Sequence, residues 1–330
     1  MPALNNEGWQ HAGNTMMQKL TEMLLAISVT VFTLGCGSQD AVKPFLGRWD
    51  MTLKARSQEY ASWLEISEQK AGQPKIQMVG RWGNVRPLPK VDITQGEIEF
   101  VSPKEEEGRN DDMVFRGTIE GSRLVGTTTG PDGTPWQWTA VRASALDRRS
   151  APVWGRAVVL FDGKDLSNWT LRDAKSTNGW KVENGVMTNY PPSTDLISKQ
   201  QFKDFKLHVE FNCPRHSNSG VYLRGRYEVQ IEDDSIQAPP SQRMGAVYGF
   251  VAPEPELPRQ PGEWQRFDIT LIGRRVTVAQ NGQMIINNRE IPGITGGALD
   301  SHEELPGPIY LQADHGEVSF RNIVITPANE

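Results

Sequence analysis

Residues 217–231 read S-N-S-G-V-Y-L-R-G-R-Y-E-V-Q-I, from Ser217 to Ile231, and describe a hairpin with two chemically different faces. Successive strand side chains point to opposite sides, so Val221 and Leu223 share a face with Tyr227, Val229 and Ile231 across a turn expected at Gly225-Arg226. Tyr222, Arg224, Glu228 and Gln230 then fall on the other face. Such a surface suits either a bound polar ligand, as a sugar would be, or plain solvent.

The same alternation runs outward from the hairpin. Phe205, Leu207, Val209 and Phe211 alternate with Lys206, His208 and Glu210, and Phe267, Ile269 and Leu271 alternate with Arg266, Asp268 and Thr270. Asn281-Gly282 is a strong hairpin-turn signal, and Ile309, Leu311 and Ala313 alternate with Tyr310, Gln312 and Asp314. So many strands over residues 157–330 predict two stacked antiparallel sheets, a jelly-roll sandwich. Residues 44–143 carry a second set of short strands, among them Trp49 to Leu53, Val114 to Ile119 and Trp136 to Ala140, and predict a smaller barrel or sandwich. Its opening, F-L-G-R-W-D at Phe45–Asp50, looks like the start of lipocalin-like barrels, and its tryptophans are expected in the core. Residues 144–156 read as a linker.

With 330 residues, 31 glycines, 22 prolines and little helical periodicity, the chain reads as an all-β protein of two domains. A net charge of -5 without long Lys/Arg runs argues against a nucleic-acid partner. At the N-terminus, Lys19 precedes an apolar run from Met23 to Leu34, then Gly35, Cys36 and a polar tether over 37–43. The run is shorter than the ~20 residues of a membrane span and reads as an export signal over 1–36. T-L-G-C resembles a bacterial lipoprotein signal, which implies lipidation of Cys36 and a membrane-anchored protein facing the periplasm or the cell exterior. After such processing Cys213 is the single remaining thiol, expected to be an apolar filler.

Four motifs carry a further resemblance. L-F-D-G-K-D-L-S-N-W (Leu160–Trp169), N-S-G-V-Y-L-R-G-R-Y-E-V-Q-I (Asn218–Ile231), P-G-E-W-Q (Pro261–Gln265) and L-Q-A-D-H-G-E-V-S-F-R-N-I (Leu311–Ile323) resemble the 3-keto-disaccharide hydrolase domain family over residues 157–327. The resemblance implies a concanavalin A-like sandwich and cleavage of glycosides whose sugar is already oxidised at C3. An oxidised saccharide is the implied substrate, and a sugar 3-oxidoreductase the implied functional partner.

A conventional glycosidase needs two carboxyl groups about 5–9.5 Å apart. Glu228 and Glu232 stand four residues apart on one strand, hence ~13 Å, so Asp300, Glu303 or Asp314 would have to supply the second. A 3-keto sugar allows another route, in which one base removes the acidified C2 proton and donors hold the enolate. Glu228 or His315 is the expected base, with Arg224 and Gln230 as electrophilic or positioning groups. Tyr222 is expected to stack on or hydrogen-bond the sugar, with Asn218, Tyr248, Asp300 and Gln312 as further contacts. His208 and Glu210 are read as solvated side chains near the groove, and His302-Glu303-Glu304 as an acidic loop without metal-ligand spacing. No cofactor is demanded, although a divalent cation is compatible with the pattern. A non-catalytic carbohydrate-binding module and an interaction domain on a tethered surface protein are the competing readings.

Overall fold

The computed structural model describes residues 41–56, 58–69, 74–80, 83–94, 96–104, 111–146, 150–233, 237–313 and 315–329. The export signal, Cys36 and all of the tether before residue 41 lie outside the described residues. No helix among the described residues is long and apolar enough to cross a membrane.

Nine strands form the N-terminal sheet: β1 (Gly47–Lys54), β2 (Glu59–Glu68), β3 (Pro74–Val79), β4 (Val85–Pro87), β5 (Lys90–Thr94), β6 (Glu97–Ser102), β7 (Met113–Glu120), β8 (Arg123–Thr129) and β9 (Pro135–Arg142). Their order is β4-β3-β2-β1-β9-β8-β7-β6-β5, so the two edges are neighbours in sequence, joined by residues 88–89, and the sheet is an incomplete barrel. Period-two burial is clearest in β9, where Trp136, Trp138 and Ala140 point inward between exposed neighbours. They join Trp49, Leu64, Ile66, Phe100 and Phe115 in a core of their own.

Trp63 departs from the expectation that the barrel's tryptophans fill its own core. With Val79 it faces outward and joins the core of the C-terminal domain, edge-on to Phe250 at 5.9 Å between ring centroids. Gly293 makes room for it, since a Cβ there would lie 2.4 Å from the Trp63 indole nitrogen.

Thirteen strands build the C-terminal sandwich. They are β10 (Val158–Phe161), β11 (Trp169–Leu171), β12 (Trp180–Glu183), β13 (Val186–Asn189), β14 (Leu196–Phe202), β15 (Phe205–Asn212) and β16 (Asn218–Leu223). β17 (Tyr227–Glu232), β18 (Trp264–Ile272), β19 (Arg275–Gln280), β20 (Gln283–Glu290), β21 (Gly307–Leu311) and β22 (Ser319–Pro327) follow. One sheet runs β12-β13-β22-β15-β18-β19-β20 with β10 also on β22, and the other runs β11-β14-β21-β16-β17. Between them lie Phe205, Leu207, Val209 and Phe211 of β15 and Val221, Leu223, Tyr227, Val229 and Ile231 of the β16–β17 hairpin. Each such side chain contributes about 1.5–3 kcal/mol on burial, which fixes which face of every strand is inside.

Asn281-Gly282 forms its expected hairpin turn, with both residues at positive φ as a type I′ turn requires. The β16–β17 turn falls one residue earlier than expected, on Arg224-Gly225. Their φ values are +55° and +66°, and Arg226 N donates to Leu223 O at 3.0 Å. Arg224 therefore belongs to the turn and leaves the strand alternation. Every residue of β17 is buried, so its polar face does not look into open solvent.

Candidate functional site

Three side chains stand in a row across neighbouring strands. Tyr310 of β21 is opposite Tyr222 of β16, and Tyr222 is opposite Glu228 of β17. The two tyrosine rings stack with centroids 4.2 Å apart and planes 15° from parallel. Tyr222 donates its hydroxyl proton to Gly296 O at 2.9 Å and lies within hydrogen-bonding reach of Glu228. Gly220, on the same face, leaves room for the acid: a Cβ there would sit 2.3 Å from Glu228 Oε1.

Gln230 completes the face. In the amide orientation that satisfies its neighbours, it donates to Glu228 Oε1 at 3.1 Å and to Ser219 O at 3.0 Å. The Glu228 backbone is held by Thr295 Oγ1 at 3.0 Å and by Tyr248 N, which donates to Glu228 O at 3.0 Å. The acid is thus anchored at both ends of its residue.

Beside this row lies a network of groups the sequence reading did not single out. Arg172, just after β11, donates from Nη1 to Asp195 Oδ2 at 3.1 Å and to Tyr310 Oη at 2.9 Å. Asp195, just before β14, also accepts from the Tyr310 hydroxyl at 2.9 Å and from Ala313 N at 2.9 Å. Tyr310 carries a legible signal, since it alternates in phase with Gln312, which lies just past the end of β21. Arg172 and Asp195 flank strands too short or irregular to reveal a face.

Burial, and then the charge of Glu228, hold the Tyr222 hydroxyl well above the usual tyrosine range, and the same two causes raise Tyr248. Burial alone would lower the Arg172 pKa, but Tyr310 and Asp195 outweigh it and the guanidinium is held charged. The tyrosines therefore remain proton donors beside a carboxylate.

Asn218, Tyr222, Glu228, Gln230, Tyr248, Gln312 and His315 come together around a cavity of about 120 Å³, closed by Arg172, Tyr310, Gly296, Gly297 and Gly83. His315 is exposed at its rim. Gln312 Oε1 is buried with no hydrogen-bond partner among the described residues. A buried acceptor left unpaired costs about 1–3 kcal/mol, so a ligand hydroxyl entering there relieves a penalty.

Other expected site residues lie elsewhere. Arg224 is carried away by the turn and is fully buried, donating to Gly273 O at 2.7 Å and to Tyr227 Oη at 3.0 Å. Asp300 pairs with Arg226 at 2.8 Å, outside the cavity. Glu232 is engaged by Met244 N at 2.9 Å and Arg259 at 3.0 Å. Glu303 is no solvated loop acid: it is buried, bidentate with Arg274 at 2.7 and 3.0 Å, and accepts from Tyr227 at 2.6 Å. His208 and Glu210 stand on β15 in the other sheet, where His208 Nδ1 meets Asp268 at 2.7 Å and Arg321 meets Glu210 at 2.6 Å. Asp314 lies outside the described residues. Cys213 is buried as expected, its thiol pushed up to about 12 by that burial.

Among the described residues lining the cavity, Glu228 is the one carboxylate. The nearby Asp195 is committed to Arg172, Tyr310 and a backbone amide. No group of three His, Cys, Asp or Glu side chains suited to a metal ion occurs among the described residues.

Comparison with known proteins matches residues 156–326 to a family described as a 3-keto-alpha-glucoside-1,2-lyase-like domain. A 3-keto-disaccharide hydrolase of Bacteroides thetaiotaomicron is 21% identical over 184 residues, which cover 44% of this chain and 63% of that protein. The chain thus spans less than two thirds of that relative's length. Among solved structures, a "putative glycosyl hydrolase" from Parabacteroides distasonis is 32% identical, covering 55% of this chain and 94% of that one at a TM-score of 0.44. A β-glucanase of Bacillus licheniformis is 12% identical, covering 55% and 100% at a TM-score of 0.33.

Proposed function

The chain belongs, through residues 156–326, to the 3-keto-alpha-glucoside-1,2-lyase-like domain family, and from that premise we propose that it cleaves the glycosidic bond of 3-keto-glycosides by base-led elimination and rehydration. The observation that carries this reading is Glu228: a lone carboxylate among the described lining residues, set beside hydrogen-bond donors in a small cavity. Conventional glycoside hydrolysis needs a second carboxyl group across the scissile bond, whereas elimination needs one base.

The C3 ketone acidifies the C2 hydrogen. Glu228 takes that proton, the C2–H electrons form the C2–C3 double bond, and negative charge passes to the C3 oxygen. Arg172 is the charged donor placed to hold it, and the Gln230 amide, already bound to Glu228 and Ser219 O, orients the base. As the enolate collapses, the C1–O bond breaks and the leaving oxygen gains a proton, for which Tyr248 or His315 is the available donor. Water then adds at C1 of the enone while a proton returns to C2, so the net change is addition of one water. The stacked Tyr222 and Tyr310 rings form the floor on which the sugar is positioned.

Product analysis by NMR tests the reading, using a 3-keto-glucoside and its unoxidised parent in deuterium oxide. Cleavage confined to the keto form, with deuterium entering C2 beyond an uncleaved control, is the expected result. Cleavage of both without C2 exchange supports conventional hydrolysis instead, and binding without cleavage supports a carbohydrate-binding module.

The N-terminal signal leads us to place this activity outside the cytoplasm, on a protein anchored through lipid at Cys36. Membrane fractionation of Cys36→Ala checks that: the variant is expected in the soluble fraction. The sugar 3-oxidoreductase that generates the substrate is a partner in reaction sequence, and the reading requires no contact with it.

A further inference from the structure

The sandwich does not close its cavity alone. Gly83, in the loop between β3 and β4 of the barrel, lines it, and two glycines of the sandwich allow the barrel's backbone so near. A Cβ on Gly296 would lie 2.0 Å from Gly83 O, and one on Gly249 would lie 2.6 Å from Asn84 Cβ. Immediately beside this contact is a second cavity, of about 280 Å³. Residues 58–61, at the start of barrel strand β2, form one side, and residues 297–299 of the sandwich form the other. The two cavities share Arg172 and Gly297.

Size separates their tasks. The first cavity, about 120 Å³, is below the range of about 300–1,000 Å³ typical of small-molecule sites, and the pair together falls within it. A substrate made of an oxidised sugar and a leaving group therefore has one compartment for each part, with Arg172 at the junction. We propose that the second cavity is the leaving-group subsite and that its ligand is a further sugar ring, so the barrel selects what the keto sugar is attached to. This inference rests on the reading of the first cavity as the keto-sugar site.

The lining fits a hydroxyl-rich ring. Gln58 and Glu59 offer an amide and a carboxylate, Arg172 offers a guanidinium, and Ala298 and Leu299 supply apolar surface against the C–H edges of a pyranose. The wall is also stiff: Tyr60 stacks on Trp136 of β9 with centroids 5.3 Å apart, and its hydroxyl donates to Gln58. A preorganised wall loses little entropy on binding. The barrel thereby gains a role that residues 156–326 cannot supply.

The test compares kcat/KM for a 3-keto-disaccharide with that for methyl 3-keto-glucoside, whose leaving group is too small to reach residues 58–61. The full chain is used, with folding of each variant verified by near-ultraviolet circular dichroism. Ala298→Phe fills the second cavity and is expected to lower the disaccharide-to-methyl ratio about tenfold. Gln58→Ala removes one polar contact from the exposed end of the barrel wall and is expected to lower it about two- to tenfold. An unchanged ratio in folded Gln58→Ala, whatever Ala298→Phe does, overturns the proposal. Failure of the wild type to cleave either keto sugar removes the reading of the first cavity but not this test. Calorimetric binding of the same two compounds then decides. Tighter binding of the disaccharide that Ala298→Phe abolishes supports the subsite, and equal affinities in the wild type overturn it.

Discussion

Asp50 of β1 stands beside Glu303 of the sandwich, so the barrel meets its neighbour through two buried carboxyl groups that share the neighbourhood of Arg274. Arg274 already binds both Glu303 oxygens, which satisfies one negative charge and leaves the second uncompensated. Burial, reinforced by the Glu303 charge, pushes Asp50 up to about 8. Alongside this pair, Thr52 and Ser301 exchange a hydroxyl hydrogen bond of 2.9 Å across the same boundary.

The pH dependence of stability follows from that pair. An unfolded aspartate releases its proton near pH 4, whereas folded Asp50 keeps it until about pH 8. Between those values the native state binds more protons than the unfolded state, so this group's contribution falls as pH rises. Thermal melts should show the wild type losing Tm between pH 5 and 8, and Asp50→Asn should flatten that slope and melt higher at pH 8. Glu303→Gln is expected to act the other way, since it weakens the partner of buried Arg274. Breaking a buried pair costs about 3–5 kcal/mol.

Glu228→Gln keeps the shape and hydrogen-bonding reach of the side chain while removing the base. Turnover of a 3-keto-glucoside is expected to fall about 10²–10⁴-fold with sugar affinity retained. Steady-state kinetics and calorimetry check it, and undiminished turnover would remove Glu228 from the mechanism.

Gly220→Ala addresses the same acid from beneath. The added methyl would lie 2.3 Å from Glu228 Oε1, so the carboxylate must shift. The expected result is a loss of kcat of about tenfold or more, because reaction geometry tolerates little displacement. A crystal structure of the variant should show Glu228 turned from the Tyr222–Gln230 side.

Asp195→Ala tests positioning. The aspartate holds Arg172, the Tyr310 hydroxyl and Ala313 N at once, and its loss should cost about 1.5–3 kcal/mol for each charged hydrogen bond left unreplaced. Because Arg172 and Tyr310 both line the cavity, kcat/KM should fall further than the Tm shift alone explains. Tyr310→Phe, which keeps the stacking on Tyr222, should lose less activity.

Alternation makes much of this site legible in the sequence. Tyr222, Glu228 and Gln230 each occupy the polar phase of a strand whose other phase is Val, Leu and Ile, Gln312 continues the polar phase just past β21, and burial of the apolar phase determines where they point. Arg224 escaped the rule because turn chemistry overrides strand phase: Arg224-Gly225 takes the left-handed pair, with the residue before glycine as its first member. Arg172 and Asp195 meet each other across 23 residues and meet Tyr310 across more than 100, pairings that no local period records. The fate of Glu303 was illegible for a related reason, since its burial depends on Arg274 and on a strand of the other domain. His208 and Glu210 face away from the core of β15, but a period of two does not say which sheet a strand joins, and the sheet they stand on is not the one that carries the cavity.

The β16–β17 hairpin has oil on one side and the polar groups of the cavity on the other, and both sides are buried along β17. Glu228 stands on a partition whose reverse is Tyr227, Val229 and Ile231, all fully buried. The placement of its carboxylate is therefore decided partly from behind, by the volume of side chains that never touch a substrate. Trimming Val229 by two methyl groups would leave the chemistry of the pocket untouched on paper and yet alter its aim. In this protein the hydrophobic interior serves as the optical bench on which the Glu228 carboxylate is aligned.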